Sequence, residues 1–341
     1  MVLELEQFQR PNLQAFIEAV PNTNQYRLAS AFPDERVYDD KFIYDIIKRT
    51  PVIAAKVTGF DSSAPIRGMA QAEQALGRLT KIQDAYFIDE STDRAIAMPR
   101  RGTDEDRNAI NNALKDVGNL KLGVQETIEY LRAKLVYDGA LEYVDPFSET
   151  KVSFEVARPD GNNIAVATKW DDPAANPFAD LKAAVKQYQT ATNSKKKPER
   201  IDIAQDVEDA MLESPSVKLA VYGKPDDARM VDSEQLQALF RRHKLPQYFV
   251  NEDSVTFEDI VDGERTTVTR DLLDSGKVVL YDNIMGSTAR GQVKTSDGTY
   301  QFGIATDPIV VPDPVHEKII VMEAAIPALK AVNNNVIMTV L

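Results

Sequence analysis

A short glycine-bounded stretch near the C-terminal end of the chain most resembles a catalytic loop. It reads YDNIMGSTARGQVKTSDG and contains Ser287, Thr288 and Arg290. A phosphate-binding loop needs a lysine directly before its serine or threonine, and a serine nucleophile elbow reads Gly-x-Ser-x-Gly. Neither pattern is present, and the stretch lies between two predicted strands rather than at a helix N-terminus, where a phosphate is held. The sequence therefore predicts a structural glycine-rich bend here.

Cysteine and histidine usage restricts the remaining chemistry. The chain has no cysteine, which excludes disulfides, thiolate metal sites and cysteine nucleophiles. Its two histidines, His243 and His316, are too few for a zinc site built on several histidines. His243 follows a basic helix end and His316 lies at a strand entry, positions typical of capping or surface histidines. We predict no catalytic, cofactor-binding or metal-binding residue.

Acidic pairs leave one enzymatic alternative open, a soluble α+β hydrolase that uses paired carboxylates. The candidates are Asp171 with Asp172, Asp226 with Asp227, and the run from Asp104 to Asp106. Each lies in a predicted turn or helix start, where carboxylates usually act as solvated caps. The distance between two glycosidase carboxylates is a three-dimensional quantity, so the sequence alone does not decide the matter.

Composition and charge describe an acidic globular chain. Of 341 residues, 43% are hydrophobic and 27% are charged, and the formal net charge is −13. Such a chain lacks the basic stripe of a DNA groove reader, and the one basic run, NSKKKPER at 193–200, is interpreted as a solvated loop. The longest apolar runs fall short of a bilayer span and the N-terminus lacks signal-peptide order, so we expect cytoplasmic synthesis and no membrane contact.

Hydrophobic periodicity predicts an α+β fold. A short helix is expected over 12–20 and a long one from Thr103 to about residue 137, with Gly118 and Gly123 as positions where it bends or breaks. Strands at 36–58 and 79–89 are expected to form a long hairpin or extended loop. Helices at 177–191, 205–213 and 232–243 are expected to alternate with strands from residue 170 onward. Two hairpins are expected, one turned by Asp262-Gly263 and one by TSDG at 295–298. Two final strands are expected to be broken by Pro327 and the turn at 333–335.

The order of these parts resembles the major capsid proteins of phage lambda and its relatives, which have the Hong Kong 97 capsid fold. The similarity rests on FPDERVYDDKFIYDIIKRTPVIAAKVTGFDSSAPIRG, EYLRAKLVYDGALEYVD, VVLYDNIMGSTARG and the C-terminal DPIVVPDPVHEKIIVMEAAIPALKAVNNNVIMTVL. It implies an N-terminal arm, an extended β-hairpin loop, a peripheral domain with a long spine helix and an axial α+β domain. The implied boundaries are 1–35 for the arm, 36–102 for the loop, 103–165 with 315–341 for the peripheral domain, and 166–314 for the axial domain.

The resemblance also implies function and partners. The chain would be a non-enzymatic major capsid protein that forms the pentamers and hexamers of an icosahedral shell, assembled in the host bacterial cytoplasm around double-stranded DNA. Implied partners are further copies of the chain, a separate scaffolding protein, a portal protein and a decoration protein, with the packaged DNA enclosed without sequence-specific contacts. An encapsulin-like compartment is the alternative within the same fold.

Inter-subunit contacts are expected where the arm and the extended loop meet neighbouring subunits. Neither segment is expected to bury its apolar residues within one subunit. The basic residues Lys56, Arg67 and Lys81 of the loop are candidates to pair with a neighbour's acidic helix start, Asp104, Glu105 and Asp106. Exposed ion pairs contribute at most about 1 kcal/mol each, so these charges would mainly set the register of the contact.

Overall fold

The computed structural model describes residues 3, 5–21, 26–46, 73–88, 104–147, 151–156, 158–159, 161–261, 264–312 and 315–341. The helices are α1 (Arg10–Ala19), α2 (Asp104–Ala133), α3 (Pro177–Ala191), α4 (Gln205–Glu213), α5 (Pro215–Tyr222) and α6 (Ser233–Arg242). The strands are β1 (Asp34–Arg36), β2 (Lys41–Ile46), β3 (Glu73–Arg78), β4 (Lys81–Ile88), β5 (Ala140–Val144), β6 (Lys151–Glu155), β7 (Asn163–Ala165), β8 (Arg200–Ile203), β9 (Tyr248–Val250), β10 (Ser254–Val261), β11 (Glu264–Asp271), β12 (Lys277–Tyr281), β13 (Gly286–Arg290), β14 (Gln292–Lys294), β15 (Tyr300–Phe302), β16 (Ala305–Pro312), β17 (Val315–Leu329) and β18 (Val336–Thr339). In this part of the chain, no helix has both the length and the apolar character needed to cross a membrane.

The chain divides into two units, each made of non-contiguous segments. Unit 1 contains Met1–Phe42, Leu76–Arg132 and Ser287–Ala328. Unit 2 contains Ile43–Ala75, Ala133–Gly286 and Leu329–Leu341. Both units combine helices with sheet, so the α+β class predicted from the sequence is confirmed.

The sheet of unit 1 is built around β17. Its strand order is β1-β13-β17-β16, and β4 also pairs with β17. The antiparallel register places β17 between two strands, since Ile320 lies opposite Asp307 of β16 and Ala85 of β4. The predicted pairing of the strands at 36–58 and 79–89 is therefore wrong, because β2 pairs with β3 instead of β4. β4 joins the main sheet of unit 1, and its last residue, Ile88, is buried in the core of that unit.

Pro327 does not break the C-terminal strand, contrary to the prediction. β17 continues from Val315 through Pro327 to Leu329. Its ladder with β16 ends at Met322 and its ladder with β4 ends at Ala324. Because Pro327 lies beyond both ladders, its missing N–H removes no hydrogen bond from either of them.

The long helix α2 has no break at its two glycines. It runs for 30 residues, about 45 Å, and its buried positions Val117, Val124 and Ile128 keep helical spacing. It continues into a single π-helical turn, Lys134–Asp138, that ends at Gly139 with φ of 72°. The predicted N-cap, Thr103, lies outside the described residues. Packing of the apolar stripe outweighs the intrinsic cost of two glycines, so the expected bend is absent.

A substitution at Gly123 is expected to stabilise the folded chain. It is exposed in the middle of α2, and a Cβ added there meets nothing within 4 Å. Because alanine restricts the unfolded chain more than glycine does, Gly123→Ala is expected to raise the free energy of unfolding by about 0.5–1 kcal/mol. Urea denaturation measures the difference, and a loss of stability would show that the helix is not continuous at this position.

The N-terminal helix α1 is buried within unit 1, so the prediction that the arm cannot bury its apolar residues within one subunit is wrong. Phe8, Leu13 and Ile17 are fully buried against residues of α2 and β17. From α2, the Lys121 ammonium donates to the carbonyls of Ile17 at 2.9 Å and Val20 at 2.7 Å, which satisfies the C-terminal end of α1.

A glutamine of α1 also covers part of the edge of β16. Gln14 Nε2 donates to the Ile304 carbonyl at 3.0 Å, and Gln14 Oε1 accepts from the Thr306 N–H at 3.0 Å. The side-chain amide thus satisfies the backbone as a neighbouring strand would. No local pattern predicts this contact, because Gln14 and Thr306 are 292 residues apart in the chain.

Unit 2 is organised on a mixed sheet with the order β7-β18-β12-β8-β9. The central strand β12 is antiparallel to both β18 and β8, whereas β7 and β9 are added in parallel at the two ends. Helix α3 packs near β18, and its apolar side chains Leu181, Val185 and Tyr188 are buried. The helices predicted at 177–191, 205–213 and 232–243 are confirmed, whereas α5 and β7 were not predicted.

Two hairpins extend the strand content of unit 2. In β10–β11, Val261 lies opposite Glu264, so the predicted hairpin is confirmed, while its turn residues Asp262 and Gly263 lie outside the described residues. The second hairpin is β5–β6, whose ladder runs from Ala140–Glu155 to Val144–Lys151. The ring of Tyr143 on β5 lies 6.0 Å from that of Phe257 on β10, which places the two hairpins side by side.

Candidate functional site

The stretch with Ser287, Thr288 and Arg290 is a buried strand, β13, rather than the predicted glycine-rich bend. Thr288 is completely buried, and Ser287 is 6% exposed. β13 is parallel to β1 and hydrogen-bonded to β17, so main-sheet pairing holds these residues extended.

The hydroxyl groups of β13 are used in structural hydrogen bonds. Thr288 Oγ1 accepts from Arg132 Nε at 3.0 Å and Nη2 at 2.9 Å, and donates to the Phe32 carbonyl at 3.1 Å. Ser287 Oγ donates to Glu35 Oε2 at 2.5 Å. A nucleophilic hydroxyl also needs an accessible approach for its substrate, and the burial of Ser287 and Thr288 within the sheet leaves little room for one.

Arg132 and Glu129 form a buried ion pair on α2 beside this strand. Arg132 Nη1 lies 3.0 Å from Glu129 Oε2, and the two side chains are 4% and 2% exposed. Glu129 Oε1 also accepts from the Leu28 N–H at 2.6 Å. The pair therefore links the N-terminal segment, α2 and β13 within unit 1.

Arg290 occupies a second ionic site at the end of β13, where it is partly buried. Its guanidinium contacts Glu323 on β17, and its Nε lies 2.8 Å from Asp34 Oδ1 on β1. Burial alone would lower the pKa of Arg290, but the charges and hydrogen bonds of Glu323 and Asp34 outweigh burial and raise it. The arginine that resembled a phosphate ligand therefore holds three strands together.

Both histidines have structural surroundings, as predicted. His243 is the C-terminal cap of α6, and its ring lies 4.6 Å from that of Phe178. Burial lowers the pKa of His243, and the neighbouring charges of Lys182 and Arg242 lower it further. His316 is the second residue of β17, and its ring lies 4.8 Å from that of Phe87.

The predicted acidic pairs occupy turns. Asp172 Oδ1 accepts from the Ala174 N–H at 2.8 Å. Asp227 accepts from the backbone N–H of Arg229 and forms an ion pair with its guanidinium at 2.9 Å. These contacts are those of turn-capping carboxylates. Across the described residues, no group of acidic and histidine side chains is arranged to hold a metal ion.

Asp227 provides a titration that tests its turn contact. Hydrogen bonds from the Arg229 side chain and backbone lower the pKa of Asp227 to about 2. We expect Arg229→Gln to raise that pKa toward the ordinary value near 4, because the charged donor is removed while the backbone N–H remains. Carboxyl chemical shifts followed by NMR between acidic and neutral pH measure it, and an unchanged midpoint would contradict the contact.

Carboxylates inside unit 2 accept hydrogen bonds from tyrosines. Asp202, fully buried, accepts from Tyr137 Oη at 2.7 Å and Tyr281 Oη at 2.6 Å. Asp282 accepts from Tyr188 Oη at 2.7 Å and from Asn334 Nδ2 at 2.9 Å. These acids lie within the core without solvent access, so they satisfy polar groups there rather than act on a substrate.

The predicted inter-subunit contact residues are only partly described. Lys56 and Arg67 lie outside the described residues. Lys81 is exposed at the start of β4, in the main sheet of unit 1, opposite Ala324. Asp104, Glu105 and Asp106 form the first turn of α2, and their side chains lie outside the described part of the structure. The pairing of these charges between subunits stays a prediction.

Exposed aromatic residues form a patch on unit 1. Tyr38 and Tyr300 are 76% and 64% exposed. The Phe302 ring is 6.1 Å from that of Tyr38, and the Arg36 guanidinium lies 5.1 Å from the centre of the Phe302 ring. Tyr300 lies two residues before Phe302 on β15, so the two side chains share one face of the strand. We call Tyr38, Tyr300 and Phe302 the aromatic patch. Exposed aromatic clusters of this kind are typical of protein interfaces.

The paired hairpins of unit 2 carry a second set of exposed apolar residues. Val144, Phe147 and Ile260 are between 41% and 48% exposed. The Arg265 guanidinium lies 4.8 Å above the Phe147 ring. Each unit therefore presents large apolar side chains to solvent, although each has a buried core of its own.

Comparison with known proteins identifies the family. A family model described as phage major capsid protein E matches residues 10–340. This chain belongs to the phage major capsid protein E family. No curated protein sequence matches it at a significant level.

Solved structures agree with the family on the fold. A protein assigned as the capsid protein of an Escherichia coli CFT073 prophage is 15% identical, with a TM-score of 0.62 over 97% of this chain and 99% of that chain. A phage-related protein from Bordetella bronchiseptica RB50 is 13% identical, with a TM-score of 0.53 over 96% of each chain. The Hong Kong 97 capsid fold predicted from the sequence is thereby confirmed. As a phage major capsid protein, the chain is a component of the virion capsid.

Proposed function

We propose that this phage major capsid protein assembles with further copies of itself into the pentamers and hexamers of an icosahedral shell around double-stranded DNA. The observation that carries the proposal is the family match over residues 10–340. A closed shell requires each subunit to present surfaces for several neighbours. The aromatic patch of unit 1 and the exposed apolar side chains of unit 2 are suited to that role.

The shell subunit has no enzymatic role in this proposal. The hydroxyls of Ser287 and Thr288 and the carboxylates of Asp202 and Asp282 are all used in internal hydrogen bonds. Asp172 and Asp227 cap turns. Because these groups already form internal hydrogen bonds, they disfavour the hydrolase alternative, which needs accessible carboxylates on both sides of a substrate.

The proposed division stays a peripheral domain of 103–165 with 315–341 and an axial domain of 166–314, although residues 133–165 and 329–341 group with unit 2. The spine helix is α2, and the extended loop leaves and re-enters the described structure through β2 and β3. Contacts between the loop's Lys56, Arg67 and Lys81 and a neighbour's Asp104, Glu105 and Asp106 are retained as proposed register-setting pairs.

Further partners follow from assembly as a phage head. We propose a separate scaffolding protein and a portal protein, a decoration protein on the outer surface, and assembly in the host bacterial cytoplasm. The net charge of −13 favours a shell that encloses DNA without adhering to it, because like charges repel at long range.

Sedimentation tests the proposal. The chain expressed with its scaffolding protein is expected to form fast-sedimenting particles that dissociate in denaturant to subunits of 38.0 kDa. Slow-sedimenting monomers under every condition of expression, salt and concentration would contradict it. Particles that form without scaffold and contain an enzyme cargo would instead support the encapsulin-like alternative.

A further inference from the structure

A polar cavity in unit 2 surrounds the guanidinium of Arg158. Its volume is about 500 Å³, within the range of sites for small molecules or short peptide segments. It is lined by Asp138, Gly139, Ala140, Val156, Arg158, Pro159, Gly161 and Asn163. The cavity lies at the end of the π-helical turn that follows α2 and beside β7.

The Arg158 guanidinium donates hydrogen bonds to two neutral oxygens. Nη2 donates to the Asp138 carbonyl at 3.0 Å, and Nη1 donates to Asn335 Oδ1 at 3.3 Å. An arginine has five N–H donors, so the others remain for a ligand or solvent. Among the described residues, no carboxylate lies within ion-pair distance of this guanidinium.

The position of the guanidinium is fixed by Gly139. A Cβ at residue 139 would lie 1.6 Å from Arg158 Nη2, so the side chain of Arg158 occupies the space that any other residue would fill. Gly139 also has φ of 72°, which favours glycine. The arginine is thereby held in one place at the cavity wall.

Among the described residues, the carboxylates near Arg158 form their ion pairs with lysines. Asp138 accepts from Lys134 Nζ at 2.6 Å and Lys277 Nζ at 2.5 Å, and Lys277 Nζ also binds Asp274 at 2.7 Å. Both carboxylates are therefore paired with lysines rather than with Arg158 in the described part of the chain. Burial lowers the pKa of Arg158, and the Asp138 carboxylate offsets only part of that effect.

We propose that the cavity binds a carboxylate, which pairs with the remaining donors of Arg158. A planar guanidinium fork matches a carboxylate in geometry and charge, and a desolvated cation is stabilised most by a charge-assisted hydrogen bond. The carboxylate comes either from an acidic segment of a second copy of this chain, which has 53 aspartate and glutamate residues, or from a free small carboxylic acid. The first source rests on the proposed shell assembly; the second does not.

Thermal unfolding of the free subunit tests the site itself. Succinate is compared with chloride at equal ionic strength, and it is expected to raise the Tm of the wild-type chain by about 2–4 °C. Arg158→Gln should abolish the rise and Arg158→Lys should retain part of it. Arg241→Gln makes the same change at an exposed position of α6 and should leave the rise unchanged.

Arginine modification distinguishes the two sources. In carboxylate-free buffer, phenylglyoxal is expected to modify Arg158 in the free subunit and to react several-fold more slowly in particles, if a neighbouring copy supplies the carboxylate. Peptide mass spectrometry measures both rates, with Arg241 as the internal reference. If succinate stabilises the wild type but not Arg158→Gln, and Arg158 is modified equally fast in particles and free subunits, the site binds a free acid. The proposal would be overturned if succinate stabilised wild type and Arg158→Gln equally. It would also be overturned if succinate did not stabilise the wild type and assembly did not protect Arg158 from phenylglyoxal. The succinate result on the free subunit is valid even if no particles form.

Discussion

Replacing Arg132 by methionine is expected to lower the free energy of unfolding of the subunit by about 3–5 kcal/mol. The change leaves Glu129, which is 1% exposed, with a buried charge that has lost its guanidinium counter-ion. It also removes two hydrogen bonds to Thr288 Oγ1. Breaking one side of a buried pair costs more than the pair itself contributes, because the remaining charge is desolvated without compensation.

Two variants make this expectation specific. In the double variant Arg132→Met with Glu129→Gln the buried charge is gone, so part of the loss should be recovered. Arg229→Met breaks an ion pair whose arginine is 65% exposed, and it should cost far less stability than Arg132→Met because water screens the exposed pair. Urea denaturation followed by circular dichroism gives all three values. A cost for Arg132→Met similar to that for Arg229→Met would contradict the role assigned to the buried pair.

Removing the aromatic patch is expected to impair assembly strongly while leaving the subunit folded. Tyr38→Ala with Tyr300→Ala deletes two rings that are 76% and 64% exposed, so the free subunit should lose little stability. If the patch is a contact between subunits, each ring is a candidate hot spot worth about 2 kcal/mol. The loss of one such ring corresponds to a roughly 30-fold rise in the concentration needed for association.

Light scattering against subunit concentration measures this effect. The matched control is Tyr38→Phe with Tyr300→Phe, which retains both rings and should assemble close to the wild-type concentration. Circular dichroism confirms that each variant is folded. Assembly of the double alanine variant at the wild-type concentration would show that the aromatic patch faces solvent in the particle.

Features set by local sequence were predictable. The apolar stripe of α2, with Val117, Val124 and Ile128, was identified from its spacing, and the hairpin turn at Gly298 was identified from its turn residues. The capping position of His243 was also correct, because it depends on the end of one helix. In each case the determining residues lie within a few positions of each other.

Features set by distant partners were not predictable. α1 was expected to be an unsupported arm because its contacts on β17 are some 300 residues away in the chain, and β4 was assigned to the wrong partner for the same reason. The ionic contacts of Arg290 were not predicted because Glu323 and Asp34 are distant in sequence. The glycines of α2 were given too much weight, since tertiary packing overrides helix propensity.

Electron cryomicroscopy of the particle formed by this chain with its scaffolding protein tests the central claim most directly. The predicted result is a closed icosahedral shell whose five-fold and six-fold clusters are built from subunits with the fold described above, without enzyme cargo. A preparation that contains only isolated subunits of 38.0 kDa, under every condition tried, would contradict the claim that this chain builds a phage head.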